Sequence, residues 1–284
     1  MAANPWLERR VLNYAHQGGA REAPSSTLFA LRQAVAAGAD GLELDVHCTV
    51  DAEVVVCHDD TVDRTTAGSG AIAQLTSRQI RELDNAHWWV PGEVVAPGRA
   101  ESDYVHRGLA PADRSFGIAA LREVLDEFPT TFLNLDIKQT APVVEPYEHR
   151  LADLLREYER RDNVIVASFD DRATDAFAAY APEIHTSCGT LQTTAIWQAV
   201  QDGAPLPETR HVALQVPASI GEIVVVDERL VARAHEHGLA VHVWTIDDEA
   251  EMDRLVDLGV DGIMTDRPSL LESVLQRRGV AYGG

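Results

Sequence analysis

Residues 41–47 read GLELDVH, and their alternation decides the fold. Side chains on a β-strand point to opposite faces with a period of two. Glu43, Asp45 and His47 therefore share one face, and Leu42, Leu44 and Val46 the other. The stretch LNLDIK at 133–138 repeats the pattern, with Asn134, Asp136 and Lys138 opposite Leu133, Leu135 and Ile137. A half-solvated antiparallel strand would alternate in the same way. Both stretches, however, sit in a chain where short β-branched runs alternate with helical segments, the order of a parallel sheet buried on both faces. If the sheet closes into a barrel, the apolar face packs on helices and the polar face points inward.

Working outward from these two stretches, predicted strands cover 11–16, 41–47, 131–137, 163–168, 183–187, 211–216, 239–245 and 261–265. Predicted helices cover 25–37, 118–128, 143–160, 171–180, 191–202, 227–237, 248–257 and 268–277. Asp170 or Asp171 suits one helix N-cap and Asp247 another, and Pro268 falls in the first turn of the last helix. This order predicts a (β/α)8 TIM-type barrel, a single domain over 1–284. The next architecture, an open doubly wound sheet, lacks its G-x-G-x-x-G loop. Two regions break the alternation. Residues 53–57 read as an extra strand joined to strand 2 by a hairpin turn, and 60–117 form a long insertion after strand 2, placed where it could shape a substrate pocket.

The chain has 284 residues, is 45% hydrophobic and carries a formal net charge of −21. Such acidity repels nucleic acid and anionic membrane surfaces, so the expected partner is a small molecule and not a polyanion. No apolar run approaches the ~18 residues of a membrane span, so no integral membrane segment is expected. There is no signal-like apolar region near the start, and the three cysteines have no paired spacing. A reduced, cytoplasmic protein is the expectation.

Inward carboxylates need a counter-charge, because burying a lone carboxylate costs several kcal/mol. Glu43, Asp45 and Asp136 together imply a cation, and oxygen ligands suit one hard divalent ion, Mg²⁺ or Ca²⁺. A structural ion-pair network is the alternative. Lys138, the sole lysine in the chain, adds a fixed positive charge nearby. His16 ends strand 1 and His58 ends the extra strand. Two imidazoles beside a divalent cation suit proton transfer on both sides of a displacement. Among the other histidines, His149, His235 and His237 read as helix-surface residues, and His242 as a core or helix-facing one. Trp244, at the end of strand 7, is either a pocket wall or an ordinary core aromatic.

Taken in order, these stretches resemble the glycerophosphodiester phosphodiesterase family. Its opening His-Arg-Gly and Pro-Glu-Asn-Thr correspond to His16-Gln17-Gly18 and Pro24-Ser25-Ser26-Thr27. Its Glu-x-Asp-Val and His-Asp correspond to Glu43-Leu44-Asp45-Val46 and His58-Asp59, and its Glu-x-Lys to Asp136-Ile137-Lys138. The closing Trp-Thr and Gly-x-Asp-Gly-Ile-x-Thr-Asp-x-Pro match Trp244-Thr245 and residues 259–268. The resemblance implies a (β/α)8 barrel with Glu43, Asp45 and Asp136 as metal ligands. It implies His16 and His58 as the acid/base pair, and Lys138 as a phosphate contact.

Three departures stand out. Gln17, expected as a substrate contact, stands where the family has an arginine, so a charge-assisted bidentate contact is lost. Ser25-Ser26 replaces Glu-Asn, which alters loop bracing. Asp136 is one methylene shorter than glutamate, so it binds a metal through water or at closer range. The implied activity is metal-dependent hydrolysis of glycerophosphodiesters to sn-glycerol 3-phosphate and an alcohol, with His16 as base and His58 as acid. Hydrolysis of lysophospholipids is a second reading, motivated by a possible acyl cover at Trp88-Trp89. A non-catalytic phosphate-ligand barrel is a third.

Overall fold

The structure, a computed structural model, describes residues 4–7, 11–138 and 147–280. Its strands are β1 (Leu12–His16), β2 (Gly41–Cys48), β3 (Val54–Val56), β4 (Phe132–Ile137), β5 (Val164–Ala167) and β6 (His185–Thr186). They continue with β7 (Ala213–Pro217), β8 (Ser219–Ile220), β9 (Ile223–Val224), β10 (Ala240–Trp244) and β11 (Gly262–Thr265). The helices are α1 (Leu28–Ala36), α2 (Ser77–Arg81), α3 (Leu121–Glu127), α4 (Tyr147–Glu157) and α5 (Asp171–Tyr180). They end with α6 (Thr190–Asp202), α7 (Glu228–Glu236), α8 (Glu249–Leu258) and α9 (Pro268–Arg277).

The sheet runs β6-β5-β4-β2-β1-β11-β10-β7, and a parallel bridge from Ser187 to Ala213 brings its two ends together. These eight parallel strands make the expected (β/α)8 barrel. β3 lies outside that path, antiparallel to β2, as the extra strand at 53–57 requires. All the predicted helices are present within a few residues of their expected bounds. The first residues of the predicted helix at 143–160, 143–146, lie outside the described residues.

One cap differs. Asp248, and not Asp247, caps α8 by accepting from Glu251 N. Asp247 Oδ1 instead accepts from the Asp266 backbone N–H at 2.9 Å and from Thr265 Oγ1 at 3.1 Å. Asp170 caps α5 through Arg172 N, a choice with a physical origin, since a side-chain oxygen just before the first turn satisfies an otherwise orphaned N–H.

The apolar faces do what the alternation requires. Leu42, Leu44, Val46, Leu133, Leu135 and Ile137 pack with Leu31, Leu121, Val124 and Leu151 of the helical ring. On the other side of the barrel Leu214, Val216, Val241, Val243 and Ile263 pack with Ile196, Leu230, Leu255 and Leu271. Burying each such side chain fully stabilises the fold by about 1.5–3 kcal/mol. Inside the barrel, a separate cluster of Trp6, Leu12, Tyr14, Ile165, Ala213, Ala240 and Met264 fills the space below the polar layers.

Two glycines make room for its rings. A Cβ at Gly41 would meet Tyr14 Cδ1 at 2.5 Å, and one at Gly262 would meet His242 Cδ2 at 2.9 Å. His242 is a core residue, fully buried, with Tyr14 and Trp6 rings beside it. Trp6 donates from Nε1 to His185 Nδ1, and Asn4 donates to Val212 O and Gly238 O, so the segment before β1 closes the lower end of the barrel.

Candidate active site

Active sites of parallel barrels form at the C-terminal ends of the strands. There the register puts Glu43 level with both His16 and Asn134, and Asp45 level with Asp136. A cavity of about 500 Å³ opens above them, lined on its polar side by His16, Glu43, Asp45, His58, Asn134, Asp136 and Lys138. Trp244 lines it too. Gln17, expected to contact substrate, does not line the cavity. It is buried with a left-handed φ of 52°, and its Nε2 lies 3.3 Å from His16 Nε2. The turn after β1 thus holds the Gln17 side chain against the histidine, while its backbone N–H donates to Glu43 Oε2 at 3.3 Å. His47 shares the strand face of Glu43 and Asp45 but stands beside β3, with Nε2 3.3 Å from His58 O, and does not line the cavity.

The electrostatics follow from burial. Glu43 is pushed up to about 8 by burial and by the charge of Asp45. Burial likewise pushes Asp136 up to about 6, against the pull of Lys138. The Lys138 ammonium lies 2.7 Å from Asp45 Oδ1 and 2.6 Å from Asp136 Oδ2. Burial would discharge it, but those two carboxylates outweigh burial and hold it protonated well above the ordinary lysine range.

Each candidate catalytic histidine is held by a carboxylate through Nδ1. His16 Nδ1 lies 2.6 Å from Asp266 Oδ1, and His58 Nδ1 lies 2.6 Å from Asp59 Oδ1. Burial would lower the His16 pKa, but the Asp266 hydrogen bond and the charge of Glu43 raise it to about 9. Burial works against Asp59 as an anion, yet hydrogen bonds from His58 and Arg64 keep it below the usual carboxylate range. Nδ1 of each ring is thus committed to a carboxylate, while His16 Nε2 lies 3.3 Å from Gln17 Nε2 and 3.8 Å from Glu43 Oε2.

Among the described residues no three His, Cys, Asp or Glu side chains already stand as a metal-binding group. The donor chemistry nevertheless fits a hard cation. Asp45 Oδ2 and Asp136 Oδ1 are buried oxygens without a hydrogen-bond partner, and Glu43 adds a third buried carboxylate on the same layers. Buried acceptors are nearly always satisfied, and the Lys138 amine occupies only one oxygen of each aspartate.

The insertion at 60–117 does not shape the cavity directly. None of its residues lines the cavity. Trp89 Nε1 donates to Ala20 O, Asn85 Nδ2 to Ser25 O, and Arg64 Nε to Asp59 Oδ2, so it braces the loop after β1 and the His58–Asp59 pair. Trp88 and Trp89 serve the insertion's own packing: Trp88 donates to Thr66 O and stacks with Arg107. Their aromatic rings therefore offer no acyl cover. Two features went unread in the sequence. One is the β8–β9 hairpin. The other is the apolar wall of Phe169, Trp197, Ile220, Ile223 and Val225, which completes the cavity with Trp244.

The model of the glycerophosphoryl diester phosphodiesterase family matches residues 16–270. A glycerophosphodiester phosphodiesterase of Caldanaerobacter subterraneus subsp. tengcongensis is 30% identical over 95% of this chain and 100% of its own. One of Bacillus subtilis is 28% identical over 93% of this chain and 86% of its own. Among solved structures, an Oleispira antarctica phosphodiesterase in complex with the product sn-glycerol-3-phosphate superposes with a TM-score of 0.69 at 24% identity, covering 93% of this chain and 96% of that one. A glycerophosphoryl diester phosphodiesterase domain of Mycobacterium tuberculosis gives 0.76 at 19% identity, covering 94% of this chain and 99% of that one.

Proposed function

Since the chain belongs to the glycerophosphoryl diester phosphodiesterase family, we propose a division of labour for hydrolysis of glycerophosphodiesters to sn-glycerol 3-phosphate and an alcohol. The carrying observation is the pair of histidines, each with Nδ1 on a carboxylate, flanking three buried carboxylates and one lysine.

Lys138, as a compact point charge, contacts a non-bridging phosphate oxygen. His16 Nε2, in the neutral fraction that remains below its raised pKa of about 9, takes the proton from the attacking hydroxyl, whether of water or of the neighbouring glycerol. His58 Nε2 gives a proton to the leaving alcohol oxygen as its bond to phosphorus breaks. Asp266 and Asp59 keep the two rings oriented. Gln17 supports His16 where an arginine would have met phosphate. Trp244 walls the substrate.

The family is in general divalent-metal dependent. We assign Glu43, Asp45 and Asp136 as the ligands, with Mg²⁺ or Ca²⁺ as the ion. When bound, such an ion offsets charge on the phosphate oxygens in the transition state. No helix among the described residues is long and apolar enough to cross a membrane. The cysteines Cys48, Cys57 and Cys188 are unpaired and buried, which supports the proposed cytoplasmic location.

The deciding experiment follows glycerol 3-phosphate release from glycerophosphocholine with Mg²⁺, Ca²⁺ or chelator, for wild type and His16→Ala. Release should need the ion and collapse in the variant. Metal-independent release, or an unaffected variant, would sink this mechanism.

A further inference from the structure

Three uncharged polar side chains line the cavity and have no part in the proposed mechanism: Asn134, Ser187 and Gln215. Asn134 pairs in register with Glu43 and lies two residues before Asp136 on β4. It is therefore about 7 Å further down the strand than the Asp45–Asp136 level. Gln215 Nε2 donates to Asn134 Oδ1 at 2.5 Å, which ties β7 to β4 across the barrel. An amide whose oxygen is taken presents donors elsewhere, and one whose nitrogen is committed keeps its oxygen to accept with. Asn134 thus offers N–H and Gln215 offers Oε1.

Ser187 completes the group. It is bridged to Ala213, two residues before Gln215, so Ser187 and Gln215 are diagonal neighbours. Ser187 is 1% exposed, and its hydroxyl has no hydrogen-bond partner among the described residues. Buried hydroxyls are rarely left so. Ser168 shows the ordinary case, donating to Ile137 O and serving as acceptor for Asp170 N. On β5, between β4 and β6, the lining residue is Ala167, whose methyl group can satisfy neither Asn134 nor Ser187. A fixed donor, a fixed acceptor and a rotatable hydroxyl match an alcohol, which donates once and accepts twice. They offer no counter-charge to an ionic group.

We propose that Asn134, Ser187 and Gln215 hold the terminal hydroxyl of the substrate's glycerol, the one far from phosphorus. The assignment rests on the phosphodiesterase reading above and adds specificity-determining residues to it. Depth selects the moiety. Lys138, the phosphate contact, lies four residues beyond Asn134 on β4, toward the mouth. The leaving alcohol has to depart, so it lies toward solvent, and the small glycerol takes the closed end. Of its two hydroxyls, the one beside the phosphate belongs with His16 as a possible attacking group. The far one is left for the neutral wall. A buried site built around a hydroxyl rejects the analogue that lacks it, because its own polar groups then stay unpaired.

The test compares kcat/KM within two substrate pairs. One pair is glycerophosphocholine and its 1-deoxy analogue, with methyl in place of the terminal CH2OH. The other is the 2-hydroxyethyl and ethyl esters of glycerol 3-phosphate, which differ only on the leaving side. Wild type should favour glycerophosphocholine over its deoxy analogue by about 100-fold or more and treat the second pair nearly alike. Ser187→Ala, which deletes an unpartnered hydroxyl and should keep the wild-type Tm, and Gln215→Met should each shrink the first ratio about tenfold or more. They should do so by slowing glycerophosphocholine while the deoxy rate stays. A merely structural role would slow both members equally and leave the ratio intact, which would overturn the proposal. A wild-type ratio near one would overturn it too, with the phosphodiesterase reading left standing. A ratio found in the second pair and lost in the variants would move the subsite to the leaving alcohol, and so also overturn it. Failure of wild type to hydrolyse any of the four would remove both readings.

Discussion

His16 Nδ1 lies 2.6 Å from Asp266 Oδ1, although 250 residues separate them in the chain. The carboxylate is itself anchored from behind. Asp247 receives the Asp266 N–H and the Thr265 hydroxyl, and Arg21 pairs with Asp247 at 2.9 Å. Asp266 thereby fixes which imidazole nitrogen faces the cavity. Asp266→Asn keeps the shape but presents an amide, which can favour the wrong tautomer. We expect kcat to fall about 10²- to 10⁴-fold with KM changed little. A steady-state profile in which only KM rises would show that Asp266 does not act through His16.

Lys138 bridges Asp45 and Asp136. Lys138→Arg keeps the charge and should preserve Tm within about 3 °C. Its planar fork would tend to chelate the two carboxylates, leaving little reach toward phosphate, so kcat/KM should drop about 100-fold or more. Lys138→Met removes the charge and should destabilise the fold by about 3–5 kcal/mol. Thermal melts beside kinetics distinguish the two effects; full activity in the arginine variant would refute the phosphate contact.

Three buried carboxylates with two unpartnered oxygens should gain from a divalent ion whether or not substrate is present. At about a hundredfold excess over Kd, Mg²⁺ or Ca²⁺ should raise Tm by about 5 °C. Glu43→Gln combined with Asp45→Asn should erase the shift. Calorimetry with each ion and with chelator is the check, and an unchanged wild-type Tm with both ions would count against the assigned ligands.

His242 gives a pH dependence remote from the chemistry. Burial lowers its pKa from 6.5 to about 3. The unfolded chain therefore binds a proton that the folded one refuses. Above the unfolded value there is no penalty. As pH falls below 6.5, stability is lost at up to about 1.4 kcal/mol per pH unit until the folded value is reached. His242→Leu should remove that component. Urea titrations from pH 7 to pH 4 should show a shallower acid decline in the variant. Parallel curves would mean that the ring protonates in place.

Much of this architecture was legible because a parallel barrel writes both faces of its strands into the sequence. Leu42, Leu44 and Val46 against Glu43 and Asp45 needed no partner to be read. The same reading failed beyond the strands. The run at 216–226 holds one hairpin with a two-residue strand on each side of Gly221-Glu222, too short for any periodicity to reveal. The Asp266–His16 contact joins opposite ends of the chain, and no local pattern encodes it. Asp247 looked like a helix cap because an acidic residue before a helix usually is one; Asp248, one residue later, took that role and freed it to hold Asp266. Trp88 and Trp89 suggested a lipid cover by residue type alone, whereas their indole nitrogens are committed to backbone carbonyls within the insertion and the loop after β1.

The chain's only lysine stands inside the cavity with its side chain 20% exposed. An amine-directed acylating reagent can therefore modify one side chain at most, and that one sits at the proposed centre of chemistry. While Asp45 and Asp136 hold it as an ammonium it should be a poor nucleophile, and a ligand that draws those carboxylates away should expose it. A single mass increment on Lys138 then becomes a reporter of site occupancy that needs no turnover and no introduced label.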